Sequence, residues 1–135
     1  MFNRKDIRTH HDAINELIRK YCEENKLAFD PTSISYTDNE IHYKCIIRAT
    51  DEAGNVALDP WDKREIDSLI EGAPAEVKNA PTVIGRSVHL LNGKAAKILG
   101  YNRKRPKYCW RVEYDGGKVV LVPNHMIMWN RGFAA

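Results

Sequence analysis

Four cations lie within five residues at Arg103, Lys104, Arg105 and Lys107, and aromatic side chains flank them at Tyr101, Tyr108 and Trp110. Lys and Arg neutralise phosphates and release condensed counterions, and planar rings beside them stack on unpaired bases. That combination suits a nucleic acid or an acidic protein. Lys94, Lys97, Arg111 and Lys118 extend the patch if they share its face. The competing reading is a solvated hairpin loop whose rings point into a small core. Tyr101, Tyr108, Trp110 and Tyr114 also resemble the set of rings needed to cage a methylated cation, but the surrounding positive charge would repel such a ligand.

The remaining reactive residues converge less. His10 and His11 are adjacent, so on a helix they point about 100° apart and do not share a metal. No HxxxH, HExxH or CxxC spacing occurs, and His42, His89 and His125 stand singly. Metal-dependent cleavage needs several acids around a cation, often with a lysine on a strand. Glu76-Val77-Lys78 has the acid–x–lysine piece, but in a connector. Asp59, Asp62, Glu65 and Asp67 gather at a helix start, where the helix dipole alone favours acids. No GxSxG, GxxxxGK[ST] or GxGxxG is present. The expectation is a non-enzymatic protein with no cofactor and no metal.

The elements that must hold the basic loop are legible from periodicity. Ile7, Ile14, Leu17, Ile18 and Tyr21 fall on one face of a helix running from Asp6 to about Asn25, with Asn3 as its cap. Asp30-Pro31 reads as a stop. Thr32 to Thr37 and Ile41 to Ala49 read as an antiparallel strand pair turning at Asp38-Asn39-Glu40. Asp59-Pro60 opens a second helix that ends near Ile70 and Gly72. From Gly85 the pattern becomes short strands with tight turns: 87–91, Asn92-Gly93, 94–101, the basic loop, 108–114, Asp115-Gly116-Gly117, 118–122, a helical turn at Pro123, and a last strand at 127–129. The expected fold class is α+β: an N-terminal helix with a β-hairpin and a second helix (1–72), a connector (73–84), and a C-terminal five-stranded small β-barrel (85–135).

The stretch from Arg86 to Ile127 resembles a Tudor- or KOW-type barrel, on the strength of Asn92-Gly93, Gly100, Asp115-Gly116-Gly117 and the Pro123 turn. The whole layout, with its "ISYTDNEIHYKCIIRA" strand pair and "NGK…GY…KY" pattern, is similar to small uncharacterised bacteriophage proteins. That resemblance implies a phage setting and transfers no catalytic residue.

Bulk properties narrow the classes. At 135 residues the chain buries enough surface to fold without staples. Its apolar fraction is 43% and its charged fraction 29%, which argues against disorder. The polar start Met1-Phe2-Asn3-Arg4-Lys5-Asp6 lacks the apolar core of a secretion signal, and no apolar run is long enough to span a bilayer. Three cysteines, Cys22, Cys45 and Cys109, are an odd count and read as reduced. The expected location is the cytoplasm, that of the bacterial host if a phage encodes the protein. Residues 1–72 balance at −5 and residues 73–135 at +8. The expected partner is a nucleic acid met by the basic C-terminal part. A protein-interaction role, as a phage inhibitor of a host defence enzyme or a virion component, is the alternative. Attraction between the two parts within the fold is the bland account of the same split.

Overall fold

The computed structural model describes residues 1–134, which divide into two compact units at Thr50/Asp51. In the first unit, α1 (Arg4–Glu24) begins where Asn3 leaves helical geometry and its Oδ1 accepts the Asp6 N–H at 2.9 Å. The face that packs runs through Ile7, His11, Ile14, Asn15, Ile18 and Cys22, of which Ile7 and Cys22 are buried and the rest half-buried. Leu17 and Tyr21, expected on that face, are 70% and 57% exposed. The reason is Tyr43 of the hairpin. Its hydroxyl donates to Asn15 Oδ1 at 2.6 Å and its ring meets His11 edge-on, so the packed stripe keeps Ile7, Ile14 and Ile18 but is turned to take in His11 and Asn15 in place of Leu17 and Tyr21.

The hairpin pairs β1 (Ala28–Tyr36) with β2 (Ile41–Arg48) in antiparallel register. Asp30-Pro31 does not stop the chain but lies inside β1. The register shifts between Pro31 and Ser33, and Thr32 donates its hydroxyl to Lys44 O at 2.8 Å. A bulge is where a strand tolerates a residue without an N–H. Asp30 is fully buried, and its carboxylate meets the Arg48 guanidinium at 2.9 Å. That pairing offsets part of the desolvation cost of an acid there.

The second unit opens with Asp51, whose carboxylate accepts N–H groups of Ala53 and Asn55. Asp59 then caps α2 (Pro60–Leu69) by accepting Trp61 N–H at 2.8 Å, as the Asp-Pro pair predicts. Ile66 is its buried position, and Ile70 at its C-cap is buried too. The stretch read as a connector contributes core: it holds the short helix α3 (Ala75–Lys78), and Ala73, Val77, Val83 and Ile84 are buried. Strands β3 (Ser87–His89), β4 (Ala95–Tyr101), β5 (Trp110–Tyr114) and β6 (Lys118–Val122) form an antiparallel meander in sequence order. Val88, Ile98, Trp110 and Val112 have no exposed surface, and Leu90 is 2% exposed.

The fold is thus α+β, with a two-stranded and a four-stranded sheet and no closed barrel. The fifth strand expected at 127–129 is replaced by two isolated bridges, Val88↔Phe133 on β3 and Leu90↔Ile127 just past its end. A 3₁₀ turn at Trp129–Arg131 separates them, and Gly132 turns the chain back with φ 73°. Leu91 N–H donates to Met126 O, Met128 N–H to His89 O, and Ala134 N–H to Ser87 O, at 2.8–2.9 Å. The free edge of β3 is covered, but by a detoured segment that breaks the ladder. A Cβ on Gly132 would run into the Glu76 carboxylate, which itself accepts Phe133 N–H at 2.9 Å. No helix among the described residues is long and apolar enough to cross a membrane.

Candidate nucleic-acid interface

The basic loop joins β4 to β5 across residues 102–109, and its backbone is organised from within. Asn102 N–H donates to Cys109 O at 2.7 Å, closing the loop's neck. Asn102 Oδ1 accepts Lys104 N–H at 3.1 Å, and Arg105 N–H donates to Asn102 O at 3.2 Å. Pro106 then begins a 3₁₀ turn through Tyr108, whose N–H donates to Arg105 O. These bonds hold the loop while Arg103, Lys104, Arg105, Lys107 and Tyr108 all remain exposed. Among the described residues, no ion pair engages Lys104, Arg105 or Lys107. Arg103 approaches Asp62 of α2 at 3.8 Å, a loose contact for a guanidinium.

The rings separate into two groups. Trp110, expected beside the loop, is fully buried and is not available for stacking. Its ring meets Tyr101 at 5.2 Å and Trp129 at 5.5 Å, both edge-on. The indole N–H groups of Trp110 and Trp129 both donate to Asn124 Oδ1 at 2.9 Å. Trp110 therefore sits in the core, held there by its two ring contacts and its bond to Asn124. Tyr101 is half-buried at the end of β4, and its hydroxyl donates to Glu65 of α2 at 2.8 Å. Burial, then the Glu65 carboxylate, pushes its phenol well above the ordinary range, so it stays neutral. Tyr108, 53% exposed, is the loop's own accessible ring.

The wider patch is smaller than its sequence suggests. Arg111 is only 5% exposed, and the Lys94 ammonium lies 2.6 Å from Asp115, where that carboxylate holds it above its ordinary pKa. Lys97 stands opposite Glu113 in the β4–β5 register. With Trp110 buried and Lys94 lying over the Tyr114 ring at 4.9 Å, the four rings form no cation cage.

The −5/+8 division of charge does not coincide with the folded units. The first unit carries eight Lys/Arg and eight Asp/Glu, the second thirteen and ten. Acids of 51–71 share a unit with the basic loop, and Asp62 and Glu65 reach its edge. Attraction within the fold thus accounts for part of the split, and what remains is the local density of the loop.

One residue of this surface escapes a reading centred on the loop. Trp61, in the first turn of α2, is 55% exposed. Its indole N–H donates to Glu65 Oε1 at 3.2 Å, and Glu65 Oε2 is the acceptor for Tyr101. A single carboxylate therefore ties the exposed ring to the strand end from which the loop departs. The signal was present in the spacing. The buried Ile66 and Ile70 lie about 140° and 180° around the helix from position 61, so Trp61 points away from the core.

Comparison of the chain with protein-family models, with curated proteins and with solved structures finds no match.

Proposed function

We propose that the protein is a non-enzymatic accessory protein, of the phage type its layout resembles, and that the β4–β5 loop binds nucleic acid through Arg103, Lys104, Arg105 and Lys107. The observation that carries this reading is a self-braced loop with all four cations exposed and three of them without an ion pair among the described residues. A loop presented by a rigid sheet is where binding residues concentrate. Like charges crowded on one loop repel one another, so their clustering gains the fold nothing. Tyr108 and Tyr101 border them, while Trp110 supports the strand from beneath. The four-stranded meander with its bridged β3 edge supports a finer architectural reading too: an open relative of the Tudor- or KOW-type barrel.

The test is Arg103→Ala with Arg105→Ala, assayed by fluorescence polarisation at low ionic strength. The double variant should melt within about 0.5 kcal/mol of the parent and bind every oligonucleotide sequence more weakly to a similar degree. Unchanged binding would remove the loop from the interface. A second reading, a protein-interaction role such as inhibition of a host defence enzyme or a place in a virion, draws on a different surface. In the first unit Leu17 and Tyr21, one helical turn apart on α1, are 70% and 57% exposed on a chargeless balance, a composition suited to a protein partner. A host protein captured equally by the charge-reversed loop, and lost on Leu17→Asp, would favour that reading over the first.

A further inference from the structure

We propose that Trp61 of α2 is the stacking platform of the loop's interface, and that the ligand is therefore single-stranded nucleic acid; this rests on the nucleic-acid reading above. Of the three tryptophans, Trp110 is fully buried, Trp129 is 7% exposed and Trp61 is 55% exposed. An apolar ring of that size left in water, one carboxylate away from a dense cationic loop, has a partner chemistry that the loop alone lacks. Duplex bases are already stacked and offer a ring nothing but their edges. Unpaired bases offer a face.

The geometry favours stacking over simple exposure. The Nε1–Glu65 bond fixes the ring's rim at 3.2 Å, and Glu65 is in turn held by Tyr101 at 2.8 Å, so little rotational freedom remains to be lost on binding. Arg64 lies over the ring at 5.9 Å and brings a further cation to it. The acids nearby keep their charge, and cations stand beside two of them. Asp59 accepts the Trp61 backbone N–H, Asp62 lies 3.8 Å from Arg103, Glu65 accepts two hydrogen bonds, and Asp67 lies 3.7 Å from Lys63. A strand following the loop's cations across to Arg64 would bring a base onto Trp61.

Labelled 12-nucleotide single strands of DNA and of RNA, and the corresponding DNA duplex, are titrated by polarisation into the full chain, Trp61→Ala, Trp61→Phe and Arg105→Ala. The proposal expects Trp61→Ala to weaken single-strand binding roughly 5- to 150-fold, with an unchanged salt slope because no phosphate contact is lost. Trp61→Phe should keep most of the affinity, and single strands should shield the native fluorescence from acrylamide. Parent-like single-strand affinity in Trp61→Ala, with Arg105→Ala still impaired, would overturn the stacking role and leave the loop reading standing. Tighter binding of the duplex, untouched by Trp61→Ala, would do the same. No binding of any oligonucleotide by the parent would overturn both.

Discussion

Asn124 shows how one side chain can hold a small core together. Its single carbonyl oxygen accepts from two buried indoles, Trp110 and Trp129, at 2.9 Å each. Replacing Asn124 with Leu strands two donors in a dry environment, and each orphan costs about 1–3 kcal/mol. Urea unfolding should show a loss of roughly 2–5 kcal/mol, with the same slope. A loss under about 1 kcal/mol would mean the indoles find other acceptors. Trp110→Ala should be worse still, about 3–5 kcal/mol, through the cavity it leaves. At this scale the sequence was half legible. The cations of the loop were identifiable by density alone, and they are exposed. The rings were not, because a tyrosine or tryptophan beside a loop has the same spacing whether it faces solvent or core. Trp110 and Trp61 exchange the environments that proximity to the loop would assign them.

At the scale of elements, local chemistry determined most boundaries. Asn3 and Asp59-Pro60 start helices where their capping chemistry places them, and β6 spans Lys118–Val122 as the flanking turns require. What failed was the last strand, because its interruption depends on a tertiary contact. Gly132 must pass the Glu76 carboxylate, fifty-six positions earlier in the chain, and local periodicity carries no trace of that. Gly132→Ala combines a left-handed backbone position with this collision, and such strain costs about 1–3 kcal/mol. Hydrogen exchange should localise the effect, with Ala134 and Met128 amides losing protection while β4 and β5 amides keep theirs. Uniform loss across the sheet would show instead that the C-terminal segment is not a separable cover. The Asp30-Pro31 stop failed for a related reason: a bulge admits proline within a strand.

For the whole molecule, charge matters by where it is paired. The Lys94–Asp115 pair pulls the two groups apart in titration. Asp115 is held below its ordinary 3.8 and Lys94 above its ordinary 10.5, each through the other. A depressed carboxylate contributes stability that is present above its unfolded pKa and is lost as pH falls through the folded value. A raised ammonium contributes below its unfolded pKa and loses that as pH rises through the folded value. The pair therefore stabilises between about pH 4 and pH 10. Asp51, depressed by its bonds to Asn55, adds to the acid limb. The melting temperature of Asp115→Asn should lie slightly below the parent at pH 7, with the gap narrowing as pH falls below about 4. Parallel curves down to pH 3 would show that the pair has no energetic weight. The same reasoning explains why the −5/+8 split was an overstatement: acids of 51–71 fold with the basic half, which no count along the chain can reveal.

The proposed function turns on a four-cation loop meeting phosphates. Its most direct measurement is the salt dependence of oligonucleotide affinity for the unmodified chain. Each phosphate contact contributes about −0.7 to −0.9 to the slope of log affinity against log salt. Three or four contacts from Arg103, Lys104, Arg105 and Lys107 should therefore give a slope of about −3. Binding that is absent at low ionic strength, or present with a slope near zero, would contradict the account.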